Sequence, residues 1–194
     1  MKRFWVLFLC FCFWIFPSRA GTIVENSLFS RFVRSLDTVN VKYRQTKKIP
    51  DLEKTFVSEG RIKLAKGKGV LWMQDKPVPE RFASTMAKYC RNGQIQDVEQ
   101  LPYFSKIKRL TDDVLASDYK ALDNVFDVDY AEVNEVWTLL LVPIRDEMSV
   151  FLKKIVLTGT ADGISRAVFF YVSGIKMTID FKRMGKEIAD AIEC

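Results

Sequence analysis

Several segments of the chain alternate apolar and polar residues with a period of two, and this pattern most limits the folds that the chain can adopt. The alternation is strict over residues 175–182 and recurs over residues 39–46 and 55–64. Because successive side chains of a strand point to opposite faces, such segments predict strands with one buried and one solvated face. Short consecutive strands of this kind favour an antiparallel sheet.

The helical signals lie at the two ends and in the middle of the chain. Thr22 and Glu25 form a capping box, and the apolar spacing after it predicts a helix over about 23–36. Apolar residues three to four apart over residues 97–126 predict two short amphipathic helices, and a final helix is expected after Met184. The order is therefore helix, about four strands, helical insert, about four strands and tail helix.

This order predicts an α+β fold in which a curved antiparallel sheet, an unclosed β-barrel, is covered by a helical lid. A sheet of seven or more strands must cover its apolar face, and only about three helices are present to do so. A gap between the lid and the sheet would be an apolar cavity suited to acyl chains. The alternative is that the helices fill the core and no cavity exists.

The first twenty residues have the parts of a secretory signal peptide. Lys2 and Arg3 form a positively charged start, and an apolar run over residues 4–16 is followed by small residues at a cleavage site. The run would rise about 20 Å as a helix, which is too short for a ~30 Å hydrocarbon core. We predict a cleaved signal peptide over residues 1–20 and one exported domain over residues 21–194.

Removal of this peptide leaves 27 basic and 24 acidic residues, a net charge of +3 instead of +6. The remaining charge is mild, and a nucleic-acid partner is not expected for an exported protein. Of the four cysteines, Cys90 and Cys194 remain in the mature domain. In an oxidising compartment we predict a disulfide between them, and the alternative is two free thiols.

The chain contains no histidine. This removes the commonest general base and the commonest zinc ligand, so we expect no catalytic residues, no metal site and no cofactor. An enzyme without histidine would need a carboxylate pair. Asp112 and Asp113 are interpreted as a helix start, and Asp127 and Asp129 as a turn. We therefore do not expect an enzyme.

Six short motifs carry a resemblance to a known family. They are Tyr43-Arg-Gln-Thr-Lys47, Ser58-Glu-Gly-Arg-Ile62, Lys66-Gly-Lys-Gly-Val-Leu-Trp72, Lys76-Pro77, Trp137-Thr-Leu-Leu-Leu-Val-Pro143 and Phe151-Leu-Lys-Lys-Ile-Val-Leu-Thr-Gly159. Their order and spacing resemble the LolA-like family of periplasmic carriers of outer-membrane lipoproteins. The resemblance covers most of residues 22–183.

The resemblance implies a monomeric carrier in the periplasm of a Gram-negative bacterium. Such a carrier shields the acyl chains of a lipoprotein or lipid cargo and moves it from an inner-membrane donor complex to an outer-membrane acceptor. The same fold also serves lipid-responsive sensors that regulate an envelope pathway through a protein partner, and this is the alternative function. Where the family has an arginine linked to lid closure and handover, this chain has Lys66, which lacks the planar fork of a guanidinium.

The residues expected to line the hydrophobic cavity are apolar members of the predicted strands. For each of them, an ordinary place in the core is the alternative. The expected lining residues are Ile62, Leu64, Trp72, Trp137, Leu139, Leu141, Ile155, Leu157, Met177, Ile179 and Phe181.

Overall fold

The computed structural model describes residues 27–52, 54–66, 69–85, 89–91, 94–96, 119–144 and 146–184. These residues form one antiparallel sheet of 11 strands, in the order β6-β5-β4-β3-β2-β1-β11-β10-β9-β8-β7. The strands are β1 (Thr38–Ile49), β2 (Lys54–Ala65), β3 (Gly69–Lys76), β4 (Glu80–Thr85), β5 (Tyr89–Arg91), β6 (Gln94–Gln96), β7 (Phe126–Val133), β8 (Val136–Pro143), β9 (Leu152–Thr160), β10 (Gly163–Tyr171) and β11 (Lys176–Arg183).

Helical segments are few and short in the described part of the chain. The helix α1 (Leu28–Arg34) precedes the sheet, and α2 (Asp146–Ser149) lies between β8 and β9. Pro50–Leu52 and Tyr119–Asn124 form 3₁₀ helices. Ser27 is the N-cap of α1, and its hydroxyl accepts a hydrogen bond from the Ser30 N–H at 3.2 Å, so it satisfies one of the orphan donors of the first turn.

Two meanders make up the sheet, and the first and last strands join them. β1 to β6 run outward to one edge, whereas β7 to β11 return from the other edge until β11 pairs with β1. Because all neighbours are antiparallel, the connections alternate between two ends of the sheet. We call the end with the β1–β2, β8–β9 and β10–β11 connections the apical end, and the end with the β2–β3 and β9–β10 connections the basal end.

The pairing register places the apolar residues of most strands on one side, which we call the inner face. Ile62 pairs with Trp72 and with Val41, and Tyr43 pairs with Phe181. Directly opposed residues of an antiparallel pair share a face. Ile179, on the same side of β11 as Phe181, pairs with Ala167, which continues the inner face into the C-terminal meander.

The best-covered part of the inner face lies under α1. Trp137 and Leu139 of β8 are 0% exposed, and α1 packs on β8 and β9 above them. The Trp137 ring is 5.1 Å from the Phe29 ring, edge to face, and 5.8 Å from the Phe32 ring in a stacked arrangement. Aromatic pairs at these distances add stabilisation beyond that of their buried area.

The predicted antiparallel sheet is confirmed, and it is unclosed, with β6 and β7 at its two edges among the described residues. The prediction that Asp127 and Asp129 form a turn was wrong, because both residues lie within β7. The prediction that helix extends to residue 126 was also wrong, because the 3₁₀ helix ends at Asn124 and Phe126 begins a strand. Phe126, the last of the apolar residues that suggested a helix, instead belongs to a strand and is buried there.

Other predictions fall on residues outside the described part of the chain. These are the signal peptide, the capping box at residues 22–25, the amphipathic segments before residue 119, and the tail helix. The Cys90–Cys194 disulfide also stays a prediction, because Cys194 lies outside the described residues. Residues 80–85 and 89–91 form two separate strands, β4 and β5, which pair antiparallel.

We predict that Gly159→Ala destabilises the protein by about 1–3 kcal/mol, the usual effect of overpacking a core. A Cβ atom at Gly159 would lie 2.4 Å from Cζ2 of Trp137 and 2.3 Å from the Gly163 carbonyl oxygen, so the indole ring or the backbone must shift. Thermal or urea unfolding measures the change. Lys153→Ala, in the same strand on an exposed residue, is the control and should change stability by less than about 0.5 kcal/mol. A Gly159→Ala variant as stable as the control would contradict this packing.

Candidate functional site

A pocket of about 330 Å³ lies between α1 and the inner face, near the basal end of the sheet. One wall is the apolar side of α1, formed by Phe29, Phe32 and Val33, together with Leu36, which follows the helix. The other wall consists of inner-face residues from five strands, with Leu122 beside them. Its strand residues are Val39, Val41, Ile62, Leu64, Leu157, Ile164 and Phe181.

The two walls differ in how well they are shielded from water. The three α1 residues and Leu36 are each buried, but the seven apolar strand residues of the pocket are all partly exposed. Apolar surface left in contact with water can be stabilised by an apolar guest at roughly 25 cal/mol per Å² buried. The arrangement is therefore a pre-formed apolar recess, at the small end of the 300–1,000 Å³ range of ligand pockets.

The polar residues of the pocket cluster at its basal edge. They are Ser35, Thr38, Asp162 and Arg183. The Arg183 Nη1 donates a hydrogen bond to the Asp162 carbonyl oxygen at 2.6 Å, and this contact holds the β9–β10 turn against the end of β11. Since a guanidinium has five N–H donors, Arg183 can make this bond and still bind an anion.

Lys66, the predicted handover residue, lies close to the same edge. It is exposed in the turn after β2, and its backbone N–H donates to the Asp37 carbonyl oxygen at 3.0 Å. Asp37 stands between the pocket residues Leu36 and Thr38. The structure therefore brings Lys66 to the neighbourhood of the pocket.

All eleven residues predicted to line a cavity lie on the inner face, because the ladders pair them directly or through residues of the same face. The structure distributes them among three surroundings. Pocket walls contain Ile62, Leu64, Leu157 and Phe181. Trp137, Leu139 and Leu141 are buried in the core that includes α1, with Ile155 packed against it. Trp72, Met177 and Ile179 belong to a second cluster around Tyr43 and Ala167.

The second cluster borders the pocket and includes a polar contact between two aromatic residues. The Trp72 indole N–H donates to the Tyr43 hydroxyl at 2.7 Å, and the two rings are 4.9 Å apart. Burial raises the pKa of the Tyr43 hydroxyl, with Asp75 and Glu80 adding to the effect, so Tyr43 stays neutral. Trp72 and Tyr43 therefore stiffen the sheet beside Ile62, their neighbour in the cluster.

The start of α1 is attached to the edge strand β7 by a carboxylate. The Leu28 N–H donates to Glu132 Oε2 at 3.1 Å, and the Tyr130 hydroxyl donates to the same oxygen at 2.6 Å. The hydrogen bond from Tyr130, and next that from Leu28, lower the pKa of the Glu132 carboxyl. Burial raises the pKa of the Tyr130 hydroxyl. This contact fixes one end of the helical wall of the pocket.

Sequence reasoning identified the strand wall better than the helical one. Val39 and Val41 were missed as lining residues although their alternation was recognised. Phe29, Phe32, Val33 and Leu36 were recognised as a helical face but not as a wall. The role of Glu132 and Arg183 had no sequence signal, because each depends on which strands become neighbours.

Neither a cluster of potential metal ligands nor a membrane-spanning helix is present in the part of the chain that the structure describes. No group of three or more cysteine, aspartate or glutamate side chains is arranged to hold a metal ion there. None of the helices in these same residues has the length and the apolar character needed to cross a membrane.

No protein-family model matches the chain, and no curated protein matches it at a significant level. Solved structures do match. A LolA superfamily protein from Nitrosomonas europaea is 11% identical, with 87% of this chain and 96% of that one covered and a TM-score of 0.42. A chain of the Pseudomonas aeruginosa MucA/MucB complex is 10% identical, with coverages of 86% and 58% and a TM-score of 0.49. A domain from Vibrio parahaemolyticus described as an outer membrane lipoprotein-sorting protein is 10% identical, with coverages of 84% and 94% and a TM-score of 0.33.

LolA superfamily proteins are thus among the structures to which this chain is similar. The resemblance inferred from the sequence motifs is confirmed to that extent. Identities of 10–11% and TM-scores below 0.5 describe a distant likeness, and such a likeness fixes neither a cargo nor a partner.

We predict that Glu132→Gln loosens α1 and lowers the melting temperature at neutral pH, by an amount corresponding to less than about 1 kcal/mol because the carboxylate is exposed. The folded pKa of Glu132 is lowered, so its contribution is present above the ordinary pKa of about 4.3 and is lost as the pH falls through the folded value. The difference in melting temperature between the variant and the unmodified protein should therefore shrink below about pH 4.

Glu135→Gln is the matched control, because Glu135 is exposed in the neighbouring turn. It should leave the melting temperature unchanged at every pH. A Glu132→Gln difference that grew on acidification would show that the carboxylate does not hold α1.

Proposed function

We propose that this protein binds the acyl chains of a lipid or lipoprotein in the pocket between α1 and the sheet and carries this cargo through the periplasm. The observation that carries the proposal is the partly exposed apolar strand wall opposite a buried helical wall. A well-packed core would not leave seven apolar side chains of one face partly open to water, because interiors are close-packed.

The polar residues at the basal edge of the pocket favour an amphiphilic ligand over a purely apolar one. An acyl chain would lie against Ile62, Leu64 and Phe181, and its carboxylate or phosphate head would meet Arg183 at the edge. Each buried methylene contributes about 0.8 kcal/mol. Burial of a chain of several carbons is therefore enough to favour the bound state, and the small pocket would enlarge if α1 lifted.

The proposed location and partners come from the sequence. The signal-peptide features of residues 1–20 favour export, and the LolA resemblance favours transfer between an inner-membrane donor complex and an outer-membrane acceptor. The protein would act as a monomer and as a carrier, not as an enzyme. Lys66 is proposed to act at handover, because its turn adjoins the pocket edge through Asp37.

The direct test is native mass spectrometry of the protein purified from its own periplasm. We expect an added mass that corresponds to a lipid or an acylated polypeptide. Ligand-free protein that also fails to bind a fluorescent fatty acid would overturn the proposal. If such protein instead retained a membrane regulator, the sensor alternative would replace it.

We predict that Ile62→Gln weakens binding of a fluorescent fatty acid at least tenfold, because a buried amide without a partner opposes the acyl chain. Val57→Gln is the control in the same strand, since Val57 is 38% exposed and lies on the opposite face. It should bind as the unmodified protein does. Both variants should unfold at similar temperatures, and equal binding by the two would contradict the assigned pocket.

A further inference from the structure

The apical end of the sheet is a continuous surface made by three connections. The Val172 N–H donates to the Phe151 carbonyl oxygen at 2.9 Å, which joins the β10–β11 connection to the β8–β9 connection. A Cβ placed on Gly174 would lie 3.4 Å from Cγ of Pro50, so the β10–β11 connection also touches the β1–β2 connection. We call these three connections the apex.

Large apolar side chains point into solvent from each part of the apex. Leu52 is 54% exposed, Val150 is 73% exposed and Val172 is 47% exposed, and Phe151 is 39% exposed. Single exposed apolar residues are ordinary, but a contiguous group marks an interaction site. We call these four exposed side chains the apolar tips. They lie at the end of the sheet opposite the polar edge of the pocket, so cargo in the pocket would not cover them.

A row of lysines lies on the outer face directly beside these tips. Lys48 of β1 pairs with Lys176 of β11, Lys176 pairs with Phe170 of β10, and Phe170 pairs with Lys154 of β9. The Nζ atoms of Lys154 and Lys176 are 5.0 and 5.5 Å from the centre of the Phe170 ring. Like charges directly opposed in a sheet are unfavourable, and an anionic partner would relieve this repulsion.

The net charge of the chain segments that form the apex is also positive. Residues 47–54, 144–154 and 171–176 contain seven lysine and arginine residues against four acidic residues, a net charge of +3. Exposed apolar tips next to basic side chains fit a lipid bilayer, where the tips enter the head-group region and the lysines meet anionic heads.

We propose that the apex docks on the surface of an anionic lipid bilayer, with Leu52, Val150 and Val172 in the head-group layer and Lys48, Lys154 and Lys176 against its charges. This contact is peripheral and reversible, because only a few apolar side chains are buried. It is independent of the pocket and would hold the domain on the membrane with the polar edge of the pocket away from it.

The test is flotation of the purified mature protein with vesicles of phosphatidylcholine alone or with about one third phosphatidylglycerol. We expect binding to the anionic vesicles that weakens as salt rises. Lys154→Gln with Lys176→Gln should weaken it about 25-fold, at about fivefold per lysine. The matched control is Lys42→Gln with Lys182→Gln, an exposed, directly paired couple on the same outer face near the basal end, which should change it less than twofold.

A second pair of variants tests the tips without changing the charge. Leu52→Ser with Val172→Ser should weaken binding to the anionic vesicles about tenfold, because less apolar area is buried. Absence of vesicle binding by the unmodified protein would overturn the proposal, as would equal losses for the two lysine pairs. If the protein does not bind vesicles but forms a dimer that depends on Leu52 and Val172, the apex would instead be an interface with a second copy of the chain. Ile62→Gln should keep full vesicle binding, so a failure of the pocket proposal would be seen separately.

Discussion

The antiparallel ladder between β1 and β11 is the contact on which the rest of the molecule depends. It joins the first described strand to the last through pairs from Val41–Arg183 to Lys48–Lys176, and without it the two meanders would be separate sheets. Its register also decides which side of each meander becomes the inner face. A slip of one residue would turn Lys182 inward in place of Phe181. The pocket exists because this register sets Val41, Ile62 and Phe181 side by side.

The unequal cover of the inner face follows from a difference in size. A helix of seven residues is about 10 Å long, whereas eleven strands spaced about 4.8 Å apart span about 50 Å. Among the described residues, α1 therefore covers the region of Trp137 and Leu139, and it leaves the strand side of the pocket partly exposed. The apolar side chains of the inner face thus have two roles. Under the helix they form a buried core, and beyond it they form a partly exposed wall.

The sequence was sufficient for what depends on neighbours along the chain. The alternation at Val39–Tyr43 and at Ile175–Phe181 identified strands and their apolar faces, and the motifs around Trp72 and Trp137 identified the distant likeness. It was not sufficient for what depends on strand order. No local sequence pattern indicates that Tyr43 pairs with Phe181 or that Glu132 contacts the first turn of α1. Nor does one indicate that Asp127 and Asp129 belong to a strand instead of a turn. The first two contacts join residues more than about 100 positions apart, such as Leu28 and Glu132.

Burial of Trp137 under α1 has a practical consequence. The chain has four tryptophans, and two of them, Trp5 and Trp14, belong to the predicted signal peptide. The mature domain then keeps Trp137, whose indole N–H is bound to the Thr160 carbonyl, and Trp72, the cross-strand partner of the pocket residue Ile62. The molecule therefore contains two intrinsic fluorophores, one beneath the helix and one beside the strand wall. A variant that keeps only one of the two tryptophans would therefore report on one of these two environments without any attached dye.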